Sequence, residues 1–355
     1  MKVVVVGAGP AGCMAAIEAC KRGADVVVVE HRWPPRGICA GGVILSRAKR
    51  YGIDESLFAS SLVTRVKTIA MHSPSGYVAE FKVNGSVIVV DRMEFDAFLR
   101  EKAADAGAVF HKSKALSVER NVVRTRHGRI NFDKLVVATG SPRRLPGLPR
   151  RRIRPDDAYI CVQTTVEHKP EHDIEIYFGH HVAPRGYAWV FAQRKRRLSK
   201  VGLGVPASLG FYAVKFLKRL ARMERVRALG KIEAKALYLT EPARKVSHGN
   251  VLFAGDSIPS TRPPGGAGIV EAMASGRMAG RCAVSEEDYE RMWWDTLGRE
   301  IAVGYKLKTV LTELDDCGFD VLVRMLRMMP FPLFLRRDSV CGLASFLHRV
   351  LRWFA

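Results

Sequence analysis

Four stretches of this 355-residue chain carry residue types and spacings that could do chemistry. The first is Gly7-Ala8-Gly9-Pro10-Ala11-Gly12, followed by an acid at Glu30. Glycines at this spacing allow a tight turn at Gly7, let a pyrophosphate approach the backbone at Gly9, and let a helix lie close to a strand at Gly12. A helix opening at Pro10 and Ala11 would aim its unpaired N–H groups and positive end at phosphates, with Glu30 placed to accept hydrogen bonds from ribose hydroxyls. The second is Gly255-Asp256 with Gly265-Gly266-Ala267-Gly268-Ile269. Its carboxylate can reach polyol hydroxyls, and its turn can present N–H groups to a ring that becomes negative on reduction. The third is Cys39-Ala40-Gly41-Gly42, a thiol in a loop where backbone can approach a ligand. The fourth is Tyr187, Trp189 and Phe191, three aromatics at alternate positions. On a strand they share one face and form an apolar wall, of a ligand slot or of an ordinary sheet core.

These groups need a scaffold. Val3–Val6 and Val26–Val29 read as buried parallel strands, joined by an Ala-rich helix that runs to about Arg22 and is closed by Gly23. Lys134–Gly140 adds a third such strand, ending in glycine, and Asn250–Ala254 a fourth. Ser46–Tyr51 reads as helix, and alternating patterns over 62–90 predict antiparallel strands. Asp91 and Glu94 form a capping box for a helix through Asp105. Short strands are expected near 108–111, 115–119, 122–126 and 130–133. A Pro- and Arg-rich link from Ser141 to Pro155 marks a change of composition. Beyond it lie strands at Ile174–Phe178, Tyr187–Phe191 and Val201–Val205, with Arg194–Arg197 at a hairpin tip and a basic amphipathic helix over Phe211–Leu229. A small-residue helix follows Ile269, and Met292, Trp293, Leu297, Ile301 and Tyr305 form a helical stripe near the end.

The net charge of +22 predicts attraction to anionic partners. With mean hydropathy near zero, a globular protein is expected, and no run reaches the roughly 18 apolar residues of a spanning helix. The seven cysteines have no zinc spacing, so reduced thiols in the cytoplasm and no metal site are expected.

Together, the two glycine motifs, Asp91-Arg92-x-x-Phe95-Asp96 and Glu30 resemble FAD-dependent enzymes of the aromatic-hydroxylase fold. Cys39–Gly42 and Pro184-Arg-Gly-Tyr187-Ala-Trp189-Val-Phe191 resemble signatures of the geranylgeranyl reductases, archaeal digeranylgeranylglycerophospholipid reductases included. Ala192 departs from the last signature, where the family has proline. The resemblance implies an α/β protein (α+β overall): a discontinuous Rossmann-type three-layer FAD domain over 1–150 and 245–285, an inserted antiparallel substrate domain over 151–244 and a helical region over 286–355. It implies FAD contacts at Gly12, Glu30, Cys39, Ala40, Gly42, Arg92, Ala115, Asp256, Gly268 and Ile269, to which the residue reading adds Gly7, Gly9, Ala11, Gly255 and Gly266. For Arg92, a helix-surface cation is an equal reading, and Ala115 rests on the resemblance alone.

The implied reaction is saturation of isoprenoid double bonds in prenyl glycerolipids, with Cys39, Tyr187 and Trp189 as catalytic candidates and Tyr187, Trp189 and Phe191 against the substrate. The electron donor is open between ferredoxin, NADPH and another carrier, since Ala138-Thr139-Gly140 lacks the Asp-Gly motif with which related hydroxylases handle NADPH. Alternatives are a monooxygenase or halogenase of the same fold, an RNA-modifying flavoenzyme, or a non-catalytic flavin module. The basic runs lack the interleaved aromatics of nucleic-acid sites, so no nucleic-acid partner is expected. The arginines at 143–144, 150–154 and 194–197 are candidates for a lipid phosphate, or a solvated basic surface. Leu343, Phe346, Leu347, Val350, Leu351 and Phe354 form a helical apolar stripe flanked by arginines. It fits either packing on the helical tail or an anionic membrane surface; a cytoplasmic protein is expected, with a peripheral membrane contact only in the second case.

Overall fold

The structure is a computed structural model and describes residues 1–35, 38–141, 145–149 and 152–328. The apolar stripe at 343–354 and the arginines at 143, 144, 150 and 151 lie outside the described residues.

The chain opens with β1 (Lys2–Val6), α1 (Pro10–Cys20) and β2 (Asp25–Val29). Next come β3 (Gly42–Ile44), α2 (Leu45–Arg50), β4 (Leu62–His72) and β5 (Val78–Val90). Then follow α3 (Arg92–Asp105), β6 (Val109–His111), β7 (Ala115–Glu119), β8 (Val122–Thr125), β9 (Gly128–Asn131) and β10 (Lys134–Val137). The middle of the chain holds β11 (Ala158–Val166), β12 (Ile174–Tyr177), β13 (Tyr187–Gln193), β14 (Leu198–Pro206), α4 (Ala213–Met223) and β15 (Glu233–Tyr238). The last elements are β16 (Ser247–His248), β17 (Val251–Phe253), α5 (Ile269–Cys282), α6 (Tyr289–Trp293), α7 (Arg299–Thr312) and α8 (Asp316–Arg327).

The first sheet has the order β16-β17-β10-β1-β2-β6 and is parallel except at β16. Beyond a charged first residue (Lys2, Asp25, Lys134), β1, β2 and β10 are apolar throughout because both faces are covered. Val3 and Val5 pack toward α1, α3 and α5, while Val4 and Val6 pack toward the meander β7-β8-β9, giving three layers. At Gly12 a Cβ would lie 1.8 Å from the carbonyl oxygen of Gly7, so only glycine lets α1 sit this close to the turn. Asp91 caps α3 by accepting from the N–H groups of Met93 and Glu94.

The second sheet has the order β15-β11-β14-β13-β12-β4-β5-β3. It draws β3, β4 and β5 from the first third of the chain, so it extends beyond the 151–244 segment that the composition marks out. Nor is it wholly antiparallel, because β4 and β12 run parallel. One face packs on α4 through Val190, Leu203, Leu217 and Leu220. At the other, Val66, Ile69 and Phe81 belong to a core with Leu307 of α7 and Phe319 and Leu322 of α8. The helical tail is anchored by Trp293, Leu297 and Ile301, each 1% exposed. Burial of side chains this size contributes about 1.5–3 kcal/mol apiece. The run from α6 to α7 is continuous but takes one π-helical turn over Trp294–Gly298.

Candidate active site

The two sheets share one cavity of about 950 Å³, near the top of the ~300–1,000 Å³ range of ligand sites. Seventeen of the residues singled out from the sequence line it: Gly7, Gly9, Ala11, Glu30, Cys39, Ala40, Gly42, Arg92, Ala115, Tyr187, Trp189, Phe191, Gly255, Asp256, Gly266, Gly268 and Ile269. Gly12 is absent from the lining, since its part is the packing of α1 on the turn.

The end built on the first sheet offers backbone donors. Gly9 is the N-cap of α1, no side chain caps that helix, and no acid lies in its first turn. The helix N-terminus therefore has unanswered N–H groups. A Cβ built on Gly9 would meet no protein atom within 4 Å, which leaves room for a ligand against the backbone. Beside it, Glu30 accepts hydrogen bonds from the backbone N–H groups of Ala8 at 3.1 Å, His31 at 2.8 Å and Arg32 at 2.8 Å. Burial pushes its carboxyl up, but these donors and Arg100 outweigh burial and hold it below the usual carboxylate value. Arg100 is buried and spans the site, donating to the carbonyls of Ala8 at 3.0 Å and Arg32 at 2.8 Å. It lies on α3, and nothing in its spacing distinguishes it from a helix-surface arginine.

The middle of the cavity is cationic. Arg92 makes a paired contact with Asp96 through Nε and Nη2, each at 3.1 Å. It is half-buried rather than out on the helix surface, and it faces Cys39. Burial pushes the Cys39 thiol up. Arg92, the Gly41 N–H at 3.4 Å from Sγ, Lys235 and Lys200 more than offset this, so the thiol lies below its ordinary value. Lys200 holds the same loop by donating to the Cys39 carbonyl at 2.8 Å. Asp256 accepts from the Thr261 hydroxyl at 2.6 Å and faces Lys235 at 3.3 Å. Sequence reading missed both lysines. Each sits in an alternating strand, where a basic residue ordinarily marks the solvent side. The N-terminus of α5, capped by Gly268, has no side-chain cap either.

The end built on the second sheet is apolar. Tyr187, Trp189 and Phe191 alternate with Ala188, Val190 and Ala192 along β13, the first three facing the cavity and Ala188 and Val190 facing the α4 core. Small residues seat the rings. A Cβ on Gly202 would come within 2.6 Å of the Trp189 indole, and one on Gly42 within 2.8 Å of the Phe191 ring. The Tyr187 hydroxyl donates to the Gly265 carbonyl at 2.6 Å, tying the wall to the second glycine turn. Ile69, Met71, Ile176, Phe178 and Phe319 extend the apolar lining. Ala192 donates its N–H to the Asp173 carbonyl at 2.9 Å, a bond that proline at this position could not make.

The basic stretch at 194–197 lies elsewhere. Arg194 pairs with Asp173 at 2.7 Å, and Arg196 with Asp91 at 2.8 Å and Glu94 at 2.6 Å, so these two cations serve the sheet and the α3 cap instead of a ligand phosphate. Arg154 pairs with Glu241 at 3.5 Å. Among the described residues no helix is long and apolar enough to cross a membrane, and no group of three or more His, Cys, Asp or Glu could hold a metal ion.

The residues therefore fit a dinucleotide: uncapped helix N-termini, space at Gly9, and acids at Glu30 and Asp256. Comparison with known proteins points the same way. Residues 1–171 match the family model described as pyridine nucleotide-disulphide oxidoreductase, and residues 157–234 match the geranylgeranyl reductase catalytic domain. The chain is 31% identical to the digeranylgeranylglycerophospholipid reductase of Methanothrix thermoacetophila, over 92% of this chain and 91% of that one. Among solved structures, a geranylgeranyl bacteriochlorophyll reductase-like protein from Thermoplasma acidophilum superposes with a TM-score of 0.86 at 22% identity, covering 96% of this chain and 94% of that one. The flavin-dependent brominase Bmp2 shares the fold more distantly, with a TM-score of 0.69 at 16% identity, covering 100% of this chain and 99% of that one.

Proposed function

This chain belongs to the digeranylgeranylglycerophospholipid reductase family, and on that premise we propose that it is an FAD-dependent reductase that saturates isoprenoid double bonds of prenyl glycerophospholipids. The observation that carries the reading is the single cavity with a nucleotide-type end and an apolar end, joined at Cys39 and Tyr187. Bound FAD, once reduced, supplies a hydride to one alkene carbon while a proton reaches the other.

The chain's own residues do the rest. The α1 N-terminus with Gly7, Gly9 and Ala11 holds the pyrophosphate, and Glu30 the ribose hydroxyls. Arg92 adds a cation, and Ala115 lines the cavity wall. Gly255 and Asp256, the latter oriented by Thr261, would hold the polyol, and the backbone of Gly266, Gly268 and Ile269 would hold the ring. The Cys39-Ala40-Gly41-Gly42 loop, held by Lys200, would line the same site. An isolated alkene accepts hydride poorly, so the bond must be aligned and water excluded. Tyr187, Trp189 and Phe191 supply that dry wall. Cys39 offers a polar hydrogen close to it, whereas the Tyr187 hydroxyl is committed to Gly265.

Electrons come from an external donor, ferredoxin, NADPH or another carrier, and the lipid is met at an anionic membrane surface. In the direct test, purified protein is reduced with dithionite under argon and mixed with a digeranylgeranyl glycerophospholipid. Return of the oxidised flavin spectrum on adding lipid supports the reductase. Reoxidation only by oxygen, with hydroxylated lipid, selects a monooxygenase instead.

A further inference from the structure

The turn that follows β14, Ala207–Tyr212, and helix α4 behind it form a surface that no step of the reaction uses. Phe211 is 92% exposed, the most open large apolar side chain among the described residues, and Tyr212 beside it is 49% exposed. Their rings meet edge to face at 5.5 Å, so each is supported by the other instead of by a core.

Helix α4 divides into two rows. Ala213, Leu217, Leu220 and Ala221 are buried against the second sheet. Val214, Lys215, Lys218, Arg219 and Arg222 follow helical spacing on the opposite side, and all five are exposed. Arg219 donates to the His181 carbonyl at 2.7 Å. Lys215, Lys218 and Arg222 meet no carboxylate among the described residues, unlike Arg194 and Arg196, which are both paired. The ridge therefore presents uncompensated positive charge, with Val214 and Met223 adding apolar surface beside it.

The position of this surface is informative. The turn leaves the end of β14, where Pro206 pairs with Tyr159 of β11. A Cβ on Gly210 would lie 2.8 Å from Ile160, so the turn is seated directly on that sheet end. Tyr159, Arg185 and Gly204, from the same end of the sheet, line the cavity. The aromatic pair and the cationic ridge thus lie on the α4 face of the sheet, at the same sheet end whose other face carries cavity-lining residues.

We propose that the 207–212 turn and the outer row of α4 dock on an anionic phospholipid bilayer. Phe211 and Tyr212 enter the interface, where aromatic rings are favoured. Lys215, Lys218 and Arg222 meet the headgroups, whose negative potential attracts each cation. Docked this way, the protein brings the end of the second sheet that carries Tyr159, Arg185 and Gly204 toward the leaflet that holds the lipid. That purpose rests on the reductase reading, whereas the docking itself does not. A bilayer fits better than a nucleic acid because the aromatics sit together at one end of the ridge, not interleaved with the cations as base-stacking platforms are.

The test uses the full chain with its flavin and two variants, Phe211→Ser with Tyr212→Ser, and Lys215→Glu with Lys218→Glu and Arg222→Glu. Sedimentation is measured with vesicles of phosphatidylglycerol and phosphatidylcholine in equal parts, and with phosphatidylcholine alone. The aromatic variant should bind the mixed vesicles roughly tenfold more weakly, and the charge variant roughly a hundredfold more weakly. Only the wild type and the aromatic variant should lose binding as salt rises. Both variants should keep their flavin and turn over detergent-dispersed lipid at the wild-type rate, which also shows that they fold. Wild-type protein that stays in the supernatant, or variants that sediment like it, overturns the proposal. So does loss of binding only on truncation after Arg337, which would assign docking to the C-terminal stripe. Wild-type binding to polyuridylate but not to vesicles would reassign the ridge to nucleic acid. Vesicle binding without lipid turnover in any form would leave the docking standing and remove the reductase reading.

Discussion

The two ends of the cavity are built by opposite means. The end on the first sheet comes mostly from one local unit, β1-α1-β2, and offers backbone N–H groups, with Glu30 as its chief side chain. The end on the second sheet is assembled from β4, β12, β13 and α8, segments far apart in the chain, and offers side-chain surface with little hydrogen bonding. The contrast follows from what each end would hold. A pyrophosphate is recognised by oriented donors that a short turn can supply. An isoprenoid chain has nothing to hydrogen-bond, so it needs shape and dryness, which only packing between distant segments provides.

If the division is real, the ends should fail separately. Gly9→Val should remove the flavin completely, since its side chain would enter the space that the turn leaves open. The protein should remain folded, and flavin content after denaturation checks this. A stoichiometric yellow variant would break the assignment of the first end. Phe191→Ala should do the reverse. Flavin content stays full while kcat/KM for the lipid falls roughly 10- to 100-fold, the loss expected from one apolar ring contact. Loss of flavin together with lipid turnover would mean that the two ends are not independent.

Glu30→Gln should have a smaller effect, weakening flavin affinity about tenfold, because a neutral amide gives up charge-assisted bonds to three N–H groups. The wild type should show the matching pH dependence. The Glu30 pKa is lowered on folding, so its contribution to folding stability is fully present above the ordinary carboxylate value of about 4.3 and is lost as pH falls through the lower folded value. The acid-unfolding curve should therefore shift in Glu30→Gln. A superimposable unfolding curve would show that the Glu30 carboxylate does not stabilise the fold.

The smallest effect concerns the junction of the two ends. In flavin-free protein, alkylation of Cys39 should have a midpoint below the ordinary thiol value of about 8.5, because Arg92, Lys235 and Lys200 favour the thiolate. Arg92→Gln should move the midpoint upward. An unchanged midpoint would exclude Arg92 as the cause.

The same contrast explains what the sequence disclosed. The glycine turn, Glu30 and the Asp91 cap are local patterns in which neighbours in the chain are neighbours in space, and they could be read directly. The strand β11 lies just beyond an arginine-rich link and was not anticipated, nor was β15. The parallel pairing of β4 with β12 joins residues about a hundred positions apart, and no local pattern encodes it. The aromatic alternation at Tyr187, Trp189 and Phe191 showed a shared face, but whether that face met a core or a cavity depended on Gly202, Gly42 and α8. Charge was the least legible feature. Arg194 and Arg196 invited a phosphate reading yet pair with carboxylates, while Lys200 and Lys235, unremarkable in the sequence, flank Cys39.

The account rests on both ends acting on one reaction, and the lipid itself can report this. Dithionite-reduced protein is given one equivalent of digeranylgeranyl glycerophospholipid without oxygen, and the extracted lipid is examined by mass spectrometry. The account predicts a product that has gained two hydrogens per saturated bond, formed by the wild type, absent with Gly9→Val and diminished with Phe191→Ala. Lipid recovered unchanged from the flavin-loaded wild type, or altered only when oxygen is admitted and then carrying an added hydroxyl, would contradict it.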